Sequence, residues 1–273
     1  MKKAYCIIIL TIISAAMYSQ TLGDVNNNGV IDIVDSLLTA QYYVNLRPSP
    51  FYTSAANVNC DRNIDIIDAL LIAQYYVGLK PFFPCSPVKK LNIPLYKQEK
   101  IYYCGPASAK MYVHYQRINI GSYGPGSLPS QTSIYNLMKT YDPSNSLGIH
   151  ISYFSNGLNN LMYNYTSTLR DNYTKLYLEN YPTKYDDLQL RNKATLIDRY
   201  EPSVVAVQWG TNQNSHYVVF KGYERNSAGS ITKVYFCDPE NGNNMYMLSS
   251  DWYTDYEIID QAVNTPVRAF IAY

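Results

Sequence analysis

The chain has 273 residues, of which 47% are hydrophobic, and it carries a formal net charge of +1. This length suits one large domain or two smaller ones, and the hydrophobic fraction is ample for a packed core, which excludes global disorder. The near-zero net charge gives no reason to expect binding to nucleic acid or to an anionic membrane surface.

The first twenty residues have the pattern of an export signal. Lys2 and Lys3 provide a positive start, an almost unbroken apolar run covers 4–13, and small residues follow. The apolar run is shorter than the roughly 20 residues that span a bilayer. We therefore expect a signal peptide over 1–20 and a secreted mature protein without a membrane span. A retained membrane anchor is the alternative.

An internal repeat follows the signal segment. The stretch IDIVDSLLTAQYYVNL at 31–46 recurs as IDIIDALLIAQYYVGL at 64–79, an offset of 33 residues. A loop begins seven residues in front of each copy and continues into it. Oxygen-bearing side chains occupy positions 1, 3, 5, 9 and 12 of this loop, and position 7 offers its main-chain carbonyl. Calcium needs about six to eight hard oxygen ligands, and this is the ligand spacing of an EF-hand-type calcium loop.

The two loops supply different ligand sets. The first set is Asp24, Asn26, Asn28, Val30, Asp32 and Asp35, and the second is Asn57, Asn59, Asp61, Asn63, Asp65 and Asp68. At position 1 the second loop has Asn in place of Asp. At position 6 it has Arg62 where the first loop has Gly29, and the sharp turn there favours glycine. We expect two calcium sites, of which the second is weaker. A pair of polar turns in front of helices is the alternative.

Each loop precedes one helix, has no helix in front of it, and carries Asp at position 12. This doubled pattern over about 22–85 resembles a type I dockerin. The resemblance implies a small all-α domain that binds a cohesin module of a scaffold protein, as in cellulosome-type assemblies. In that family the partner is chosen largely at loop positions 10 and 11, which here are Ile33, Val34, Ile66 and Ile67. The hypothesis is an apolar patch facing the cohesin, on which either helix could dock.

Two cysteines belong to this segment. Cys60 lies in the second loop and Cys85 follows the last predicted helix. Export permits disulfides, and a bond that closes a loop of this size contributes roughly 3 kcal/mol in the chain-entropy model. We predict a Cys60–Cys85 disulfide that stabilises the small core, with two free thiols as the alternative. A short Pro-bearing linker at 86–90 then leads to a second domain over 91–273.

Helices come first and strands later in the second domain, which predicts an α+β fold. A helix is expected from Cys104 to about Tyr115, with Gly105-Pro106 at its start, where proline is tolerated. Further elements are expected as helical patches near 158–178 and 186–200 and as β-rich strands at 203–209, 217–223, 231–237 and 267–273.

One of the three histidines has a candidate acidic partner. A simple hairpin places His216 directly opposite Asp238, with Cβ atoms roughly 5 Å apart, so that the carboxylate would orient the imidazole and stabilise its charged form. A surface His–Asp pair is the alternative. His114 lies along the predicted helix about 15 Å from Cys104 and is expected to be a surface or packing residue. His150 has no obvious acidic partner.

Cys104 is a candidate nucleophile. The partial positive charge at a helix N-terminus stabilises a thiolate, as does a neighbouring imidazolium. Gln98, six residues upstream, carries an amide that, with the Cys104 backbone N–H, could hold the oxyanion of a tetrahedral intermediate. Cys237 precedes Asp238 and should point to the opposite face of the sheet. It is predicted to be a small buried residue, with a Cys104–Cys237 disulfide as the alternative.

The order Gln, Cys, His, Asp resembles the papain-like cysteine peptidases. Within them, the segments YKQEKIYYCGPAS, SHYVVFKGYE and VYFCDPENG are similar to the peptidase domains that process double-glycine bacteriocin leaders. The resemblance implies Cys104 as nucleophile, His216 as general base and acid, Asp238 as orienting residue and Gln98 as oxyanion donor. It also implies a protein or peptide substrate and no cofactor for catalysis. Residues 121–200 carry no recognisable motif of that group.

The leading hypothesis is therefore a secreted cysteine peptidase that is delivered to a cohesin-bearing scaffold and is monomeric apart from it. An amidase or transpeptidase acting on cell-wall peptides would use the same thiol chemistry, so only the substrate groove decides between the two. A third possibility is a binding module that retains the fold without catalysis. The four filled polar positions argue against it.

Overall fold

The computed structural model describes residues 20–120, 127–166, 175–179, 194–208, 215–250 and 268–272. The chain divides into two compact units between Phe83 and Pro84. The predicted signal peptide lies outside the described residues, apart from its last position, Gln20. Within the described ranges, no helix is long and apolar enough to cross a membrane.

The first unit consists of the two predicted repeats. Its helices are α1 (Ile33–Tyr43), α2 (Thr53–Ala56) and α3 (Ile66–Tyr76). Asp32 caps α1 and Asp65 caps α3, each accepting a hydrogen bond from the backbone N–H two residues further on at 2.7 Å. Asp35 and Asp68 complete a capping box by accepting from the backbone N–H of the capping residue. The same residue types at the same spacing therefore start both long helices.

The described cysteines fall into two classes. Cys60 and Cys85 are both disulfide-bonded, whereas Cys104 and Cys237 are free thiols. The oxidised state of the first two supports the predicted Cys60–Cys85 pair, which stays a proposal. The free state of the other two excludes the alternative disulfide between them.

The second unit combines helices with an antiparallel sheet, which confirms the predicted α+β fold. Its elements are β1 (Val88–Lys90), α4 (Cys104–Ile120), α5 (Gln131–Lys139), α6 (Ile151–Thr166), β2 (Lys175–Glu179), β3 (Ser203–Gln208), β4 (Ser215–Arg225), β5 (Ile231–Asp238), β6 (Asn243–Leu248) and β7 (Arg268–Ala272). The strands follow the order β2-β7-β3-β4-β5-β6, and β1 pairs with the second half of β4. The long strand β4 therefore has neighbours along its whole length, and it carries His216 near its start.

The strands predicted best are those buried on both faces. Successive residues of β3 (204–207) and β4 (216–223) are buried, and each strand contains a continuous apolar run, at 204–207 and 217–220. Strand β6, by contrast, lies at the sheet edge with almost all of its side chains exposed, and it carries no such signal.

Several elements differ from the predictions. Helix α4 continues to Ile120 rather than ending near Tyr115, since no breaker occurs before that point. Residues 175–179 form a strand where the sequence indicated a helix, because the segment pairs with β7. The expected linker contains β1, whose Lys-rich sequence gives no strand signal and whose backbone pairs with β4. The expected helix over 186–200 is described only from residue 194, where 194–198 is helical.

Candidate functional site

Cys104 is the first residue of α4, and its thiol is partly exposed. Pro106 occupies the first turn, where its missing N–H removes no helical hydrogen bond. The backbone N–H groups of a first helical turn carry a partial positive charge. The thiol therefore lies at the N-terminal end of a helix, where solvent can reach it.

Close packing fixes the start of α4 against β4. A Cβ atom on Gly105 would lie 3.1 Å from the ring of Phe154 and 3.4 Å from the ring of Tyr217, so glycine permits this approach. The two rings stack with centroids 4.4 Å apart. The Ser108 hydroxyl donates to the Tyr217 carbonyl at 3.1 Å. Because Tyr217 directly follows His216, these contacts hold the helix start beside the histidine.

The predicted histidine and aspartate meet. His216 Nε2 lies 2.7 Å from Asp238 Oδ1, and both side chains are buried, with 8% and 1% of their surface exposed. The predicted direct opposition was wrong, since Val219 pairs with Cys237 and the register is displaced by two residues. The turn covers 226–230, one residue further along than a simple hairpin requires. A displacement of two residues keeps every side chain on its face of the sheet, so the contact survives.

The surroundings of His216 and Asp238 favour a protonated imidazole beside an ionised carboxylate. Burial alone would lower the pKa of His216, but hydrogen bonds to Asp238 and Cys104, together with the negative charge of both partners, raise that pKa to about 9. Burial alone would raise the pKa of Asp238, but the hydrogen bond from His216 and one from the Glu240 backbone N–H at 2.9 Å lower it overall.

Gln98 joins this group through the backbone. Its N–H donates to the carbonyl of Pro239 at 2.7 Å, the residue after Asp238. Its side-chain Nε2 donates to the Ile101 carbonyl at 3.0 Å. Its Oε1 is buried and has no hydrogen-bond partner among the described residues. Nε2 carries two N–H groups and this bond uses one, so the amide retains donor capacity.

A possible metal site overlaps the same residues. One ligand atom each from His216, Asp238 and Glu240 lies within 4.8 Å of the others. Asp238 Oδ1 already accepts from His216 Nε2 and from the Glu240 N–H. The hydrogen bonds of the histidine–aspartate pair therefore account for the cluster.

The two predicted calcium loops share one backbone conformation. At position 4, Asn27 and Cys60 have φ values of +58° and +61°, and at position 6, Gly29 and Arg62 have +88° and +80°. A non-glycine residue in this region carries a conformational cost of about 1 kcal/mol or more. The second loop thus keeps the turn of the first while holding an unfavourable residue in it.

Two family models match parts of this chain. Residues 90–262 match the Peptidase_C39 like family, which is more than half of the chain. The chain belongs to this family. Residues 22–76 match the dockerin type I domain, so the predicted order of a dockerin followed by a peptidase-like domain is confirmed.

The solved structures include one that is similar to this chain. A crystal structure of a double glycine motif protease from an AMS/PCAT transporter, in complex with the leader peptide, is similar over 67% of this chain and 95% of that chain. The identity is 13% and the TM-score is 0.36. No curated protein sequence matches the chain significantly.

The dockerin loops fit calcium. Asp24 and Asp35 are both buried. Burial raises the pKa of Asp35 against the effect of its backbone hydrogen bonds, and the charge of Asp24 adds to the rise. Burial raises the pKa of Asp68 in the second loop, with a smaller rise from Asp65. Buried neighbouring carboxylates are unfavourable unless a cation accompanies them, and all the donors are hard oxygens.

The dockerin also exposes apolar side chains in equivalent places of its two repeats. Ile33 and Val34 in the first repeat, and Ile66 and Ile67 in the second, are each about half exposed. These positions lie at the start of α1 and α3, where the sequence predicted the partner-binding residues.

The remaining histidines of the peptidase domain make other contacts. His114 Nδ1 hydrogen-bonds to the Tyr96 hydroxyl at 2.8 Å, and burial together with Arg117 and Lys110 lowers its pKa. The His150 backbone N–H donates to the buried Asp142 carboxylate at 2.8 Å. Both residues therefore have packing or loop-forming contacts.

Cys237 is fully buried, as predicted. Burial raises the pKa of its thiol to about 11. Its Sγ lies 3.6 Å from Asn244 Oδ1. This thiol stays protonated at neutral pH and provides an internal comparison for Cys104.

Sequence reasoning missed Gln131, the first residue of α5. Its side chain is buried, with 2% exposed. It hydrogen-bonds to the backbone of Lys97 and Glu99, the two neighbours of Gln98. No sequence signal marks it, because the contact joins segments far apart in the chain and lies in a stretch without motifs.

Proposed function

We propose that this protein is a secreted cysteine peptidase that hydrolyses peptide bonds and is held on a cohesin-bearing scaffold by its dockerin. The observation that carries the catalytic part is the buried His216–Asp238 hydrogen bond of 2.7 Å. Cys104 lies close enough to the same imidazole to contribute to its raised pKa. In this proposal Cys104 is the nucleophile, His216 the general base and acid, Asp238 the orienting residue and Gln98 the oxyanion donor.

The first half-reaction forms an acyl-enzyme. His216 takes the proton of the Cys104 thiol and becomes the imidazolium. The thiolate sulfur attacks the peptide carbonyl carbon, and the negative charge moves to the carbonyl oxygen. The Gln98 amide and the Cys104 backbone N–H donate hydrogen bonds to that oxygen. The His216 imidazolium then gives its proton to the leaving amine nitrogen, the C–N bond breaks, and a thioester remains.

The second half-reaction releases the acid. Neutral His216 takes a proton from water, whose oxygen attacks the thioester carbonyl, and the C–S bond breaks to return the thiolate. Asp238 keeps the ring oriented through Nε2 in both steps and stabilises the imidazolium when it forms. All the groups come from the chain, and the reaction needs no cofactor.

The test combines proteolysis with thiol modification in one molecule. The mature chain should cleave fluorescein-labelled casein. Iodoacetamide at neutral pH should abolish this cleavage by modifying Cys104 while Cys237, buried and with a pKa of about 11, stays unmodified. Peptide mapping by mass spectrometry identifies the modified cysteine.

The outcomes of this test distinguish the peptidase from its alternatives. Full casein cleavage after complete modification of Cys104 contradicts its role as nucleophile. Amine release from purified cell-wall peptides without casein cleavage would favour the amidase instead.

For the dockerin we propose two calcium sites. The first would use Asp24, Asn26, Asn28, Val30, Asp32 and Asp35, and the second Asn57, Asn59, Asp61, Asn63, Asp65 and Asp68. The second should be weaker for two reasons. Asn57 lacks the charge of Asp24, and Arg62 holds a left-handed conformation with φ of +80°.

We propose that the exposed isoleucines at the two helix starts contact the cohesin. Because the repeats are equivalent, Ile33→Ser alone should change affinity by no more than about twofold. The double variant Ile33→Ser/Ile66→Ser should weaken it about 10- to 100-fold, since apolar contact is lost whichever helix docks. Biolayer interferometry on immobilised cohesin, in millimolar calcium, measures this.

The control for docking is Leu46→Ser/Leu79→Ser. These leucines are also exposed and equivalent in the two repeats, but they follow the helix ends. An equal loss of affinity in the control pair, or unchanged affinity in the isoleucine pair, contradicts the assignment of the docking face.

A further inference from the structure

Gln131 bridges the backbone on both sides of Gln98. Its Nε2 donates to the Lys97 carbonyl at 2.7 Å, and its Oε1 accepts from the Glu99 N–H at 2.9 Å. Both ends of one amide are therefore used on the two residues that flank a single position. The pattern is that of a strand neighbour, supplied here by a side chain.

The opposite edge of the same backbone is also held. In an extended chain, the N–H of one residue points away from the carbonyl of the residue before it and the N–H of the residue after it. The Gln98 N–H accordingly faces the other way and donates to the Pro239 carbonyl at 2.7 Å. Gln98 is thus fixed between Gln131 and the residue that follows Asp238.

The side chain of Gln98 is constrained as well. Its Nε2 donates to the Ile101 carbonyl at 3.0 Å, which sets the plane of the amide. An oxyanion donor acts through preorganisation, because a shift of about 1 Å in a reacting group costs on the order of 10²-fold in rate. Residues that hold the Gln98 backbone therefore influence the rate without touching substrate.

We propose that Gln131 is a positioning residue that holds Gln98 in its oxyanion-binding geometry. This inference rests on the proposed peptidase function and adds a residue to it. Gln131 acts through Gln98. Its loss should lower the rate of peptide cleavage and leave the reactivity of the Cys104–His216 pair unchanged.

Two variants separate the hydrogen bonds from the volume of the side chain. Gln131→Met keeps the length and removes both bonds. Gln131→Glu keeps the acceptor for the Glu99 N–H and replaces the donor facing the Lys97 carbonyl by an oxygen. The control is Gln116→Met, because Gln116 is also buried and donates to the Tyr112 hydroxyl at 2.8 Å on α4.

The substrate is the casein-derived peptide that the wild-type chain cleaves fastest, made with a fluorophore and a quencher. We expect Gln131→Met to lower kcat about 10- to 100-fold, less than the roughly 10²- to 10³-fold of losing a direct oxyanion donor. KM should stay within about threefold, and Gln116→Met should retain wild-type kcat within about twofold. Gln131→Glu should also lower kcat, as Gln131→Met does.

A second readout isolates the thiol. Alkylation by iodoacetamide displaces iodide from carbon and develops no oxyanion, so its rate at Cys104 should match wild type within about twofold in both variants. A peptide aldehyde, whose adduct with the thiol carries a tetrahedral oxygen, should bind about 10-fold more weakly. A damaged fold would slow alkylation together with cleavage, and that outcome overturns the inference.

The decisive comparison is the double variant Gln98→Ala/Gln131→Met. If Gln131 acts through Gln98, its kcat equals that of Gln98→Ala within about twofold. The inference is overturned if the kcat losses of the two single variants multiply in the double variant. It is also overturned if Gln131→Met keeps wild-type kcat. If the wild-type chain cleaves no casein, or Gln98→Ala is fully active, the proposed function fails instead, so the two failures are distinguishable.

Discussion

Replacing Cys104 by alanine should lower kcat/KM for peptide cleavage by about 10⁴- to 10⁶-fold, the loss expected when a covalent nucleophile is removed. The remaining groups can still bind and polarise a carbonyl, but no acyl-enzyme forms and no neighbouring group replaces the sulfur. The measurement is steady-state hydrolysis of a quenched-fluorescence peptide by the full mature chain.

The other free cysteine provides the matched control. Cys237 is buried and its pKa is about 11, so Cys237→Ala should retain activity within about threefold. Binding of Cys104→Ala to immobilised cohesin should be unchanged, which verifies that its dockerin is intact. Activity above about 1% of wild type in Cys104→Ala would mean that another group performs the attack.

The start of α4 could be predicted because its determinants are local. A Gly-Pro pair after a cysteine marks a helix start, and the following residues contain no breaker before Ile120. The close approach of Gly105 to Phe154 and Tyr217 was beyond sequence reasoning, since it depends on which helix and strand meet there. Local patterns therefore identified the candidate nucleophile, and tertiary packing sets its position.

The histidine–aspartate contact was predicted from an incorrect register. The turn placed the strands two residues out of the expected pairing, yet His216 and Asp238 still face each other. Strand side chains alternate with a period of two, so an even error preserves the face and an odd one would have separated the pair. The prediction was therefore correct about the face of the sheet that His216 and Asp238 share, and wrong about the residue directly opposite His216.

Gln131 could not be predicted for a different reason. Its role depends on two backbone groups, the Lys97 carbonyl and the Glu99 N–H, and every residue type except proline offers both. Nothing in the sequence around Gln98 therefore indicates that a glutamine from α5 will bind there. A contact between a side chain and main-chain atoms far away in the sequence leaves no signature in a single sequence.

In the dockerin, Asp35 serves both the fold and the proposed calcium site. Asp35 accepts from the Val25 and Asn26 N–H groups and, in the capping box, from the Asp32 N–H. It is also the position 12 ligand in the proposed first site. The fold and the metal site therefore share a carboxylate, which explains why the repeat was recognisable both as calcium loops and as helix starts.

Replacing Asp238 by asparagine should move the alkaline limb of kcat/KM from about pH 9 to lower pH by about one to three units. In the wild type, the hydrogen bond and charge of Asp238, with those of Cys104, hold the pKa of His216 at about 9 against burial. The imidazolium that protonates the leaving amine thus persists up to that pH. Asparagine retains an acceptor oxygen but lacks the negative charge. The lowering effect of burial is then opposed less strongly, and the His216 pKa falls.

The same shift predicts a stability effect with a defined sign. A His216 pKa raised above its ordinary value of 6.5 stabilises the folded state fully below pH 6.5, and this contribution is lost as the pH rises through about 9. Asp238→Asn should therefore destabilise the protein most near neutral pH and below, and least above pH 9. Thermal melting across pH measures this, alongside the pH–rate profile.

Asp198→Asn is the matched control, since this carboxylate binds Lys89 at 2.8 Å outside the site. Its pH–rate profile should keep the limb near pH 9, whereas Asp238→Asn should lose about 10- to 1000-fold in rate at that pH and above. The loss follows because activity falls tenfold for each pH unit beyond the pKa of an essential acid. An unmoved limb in Asp238→Asn would show that the charge of Asp238 does not set the protonation of His216, leaving Cys104 as the only named partner able to do so.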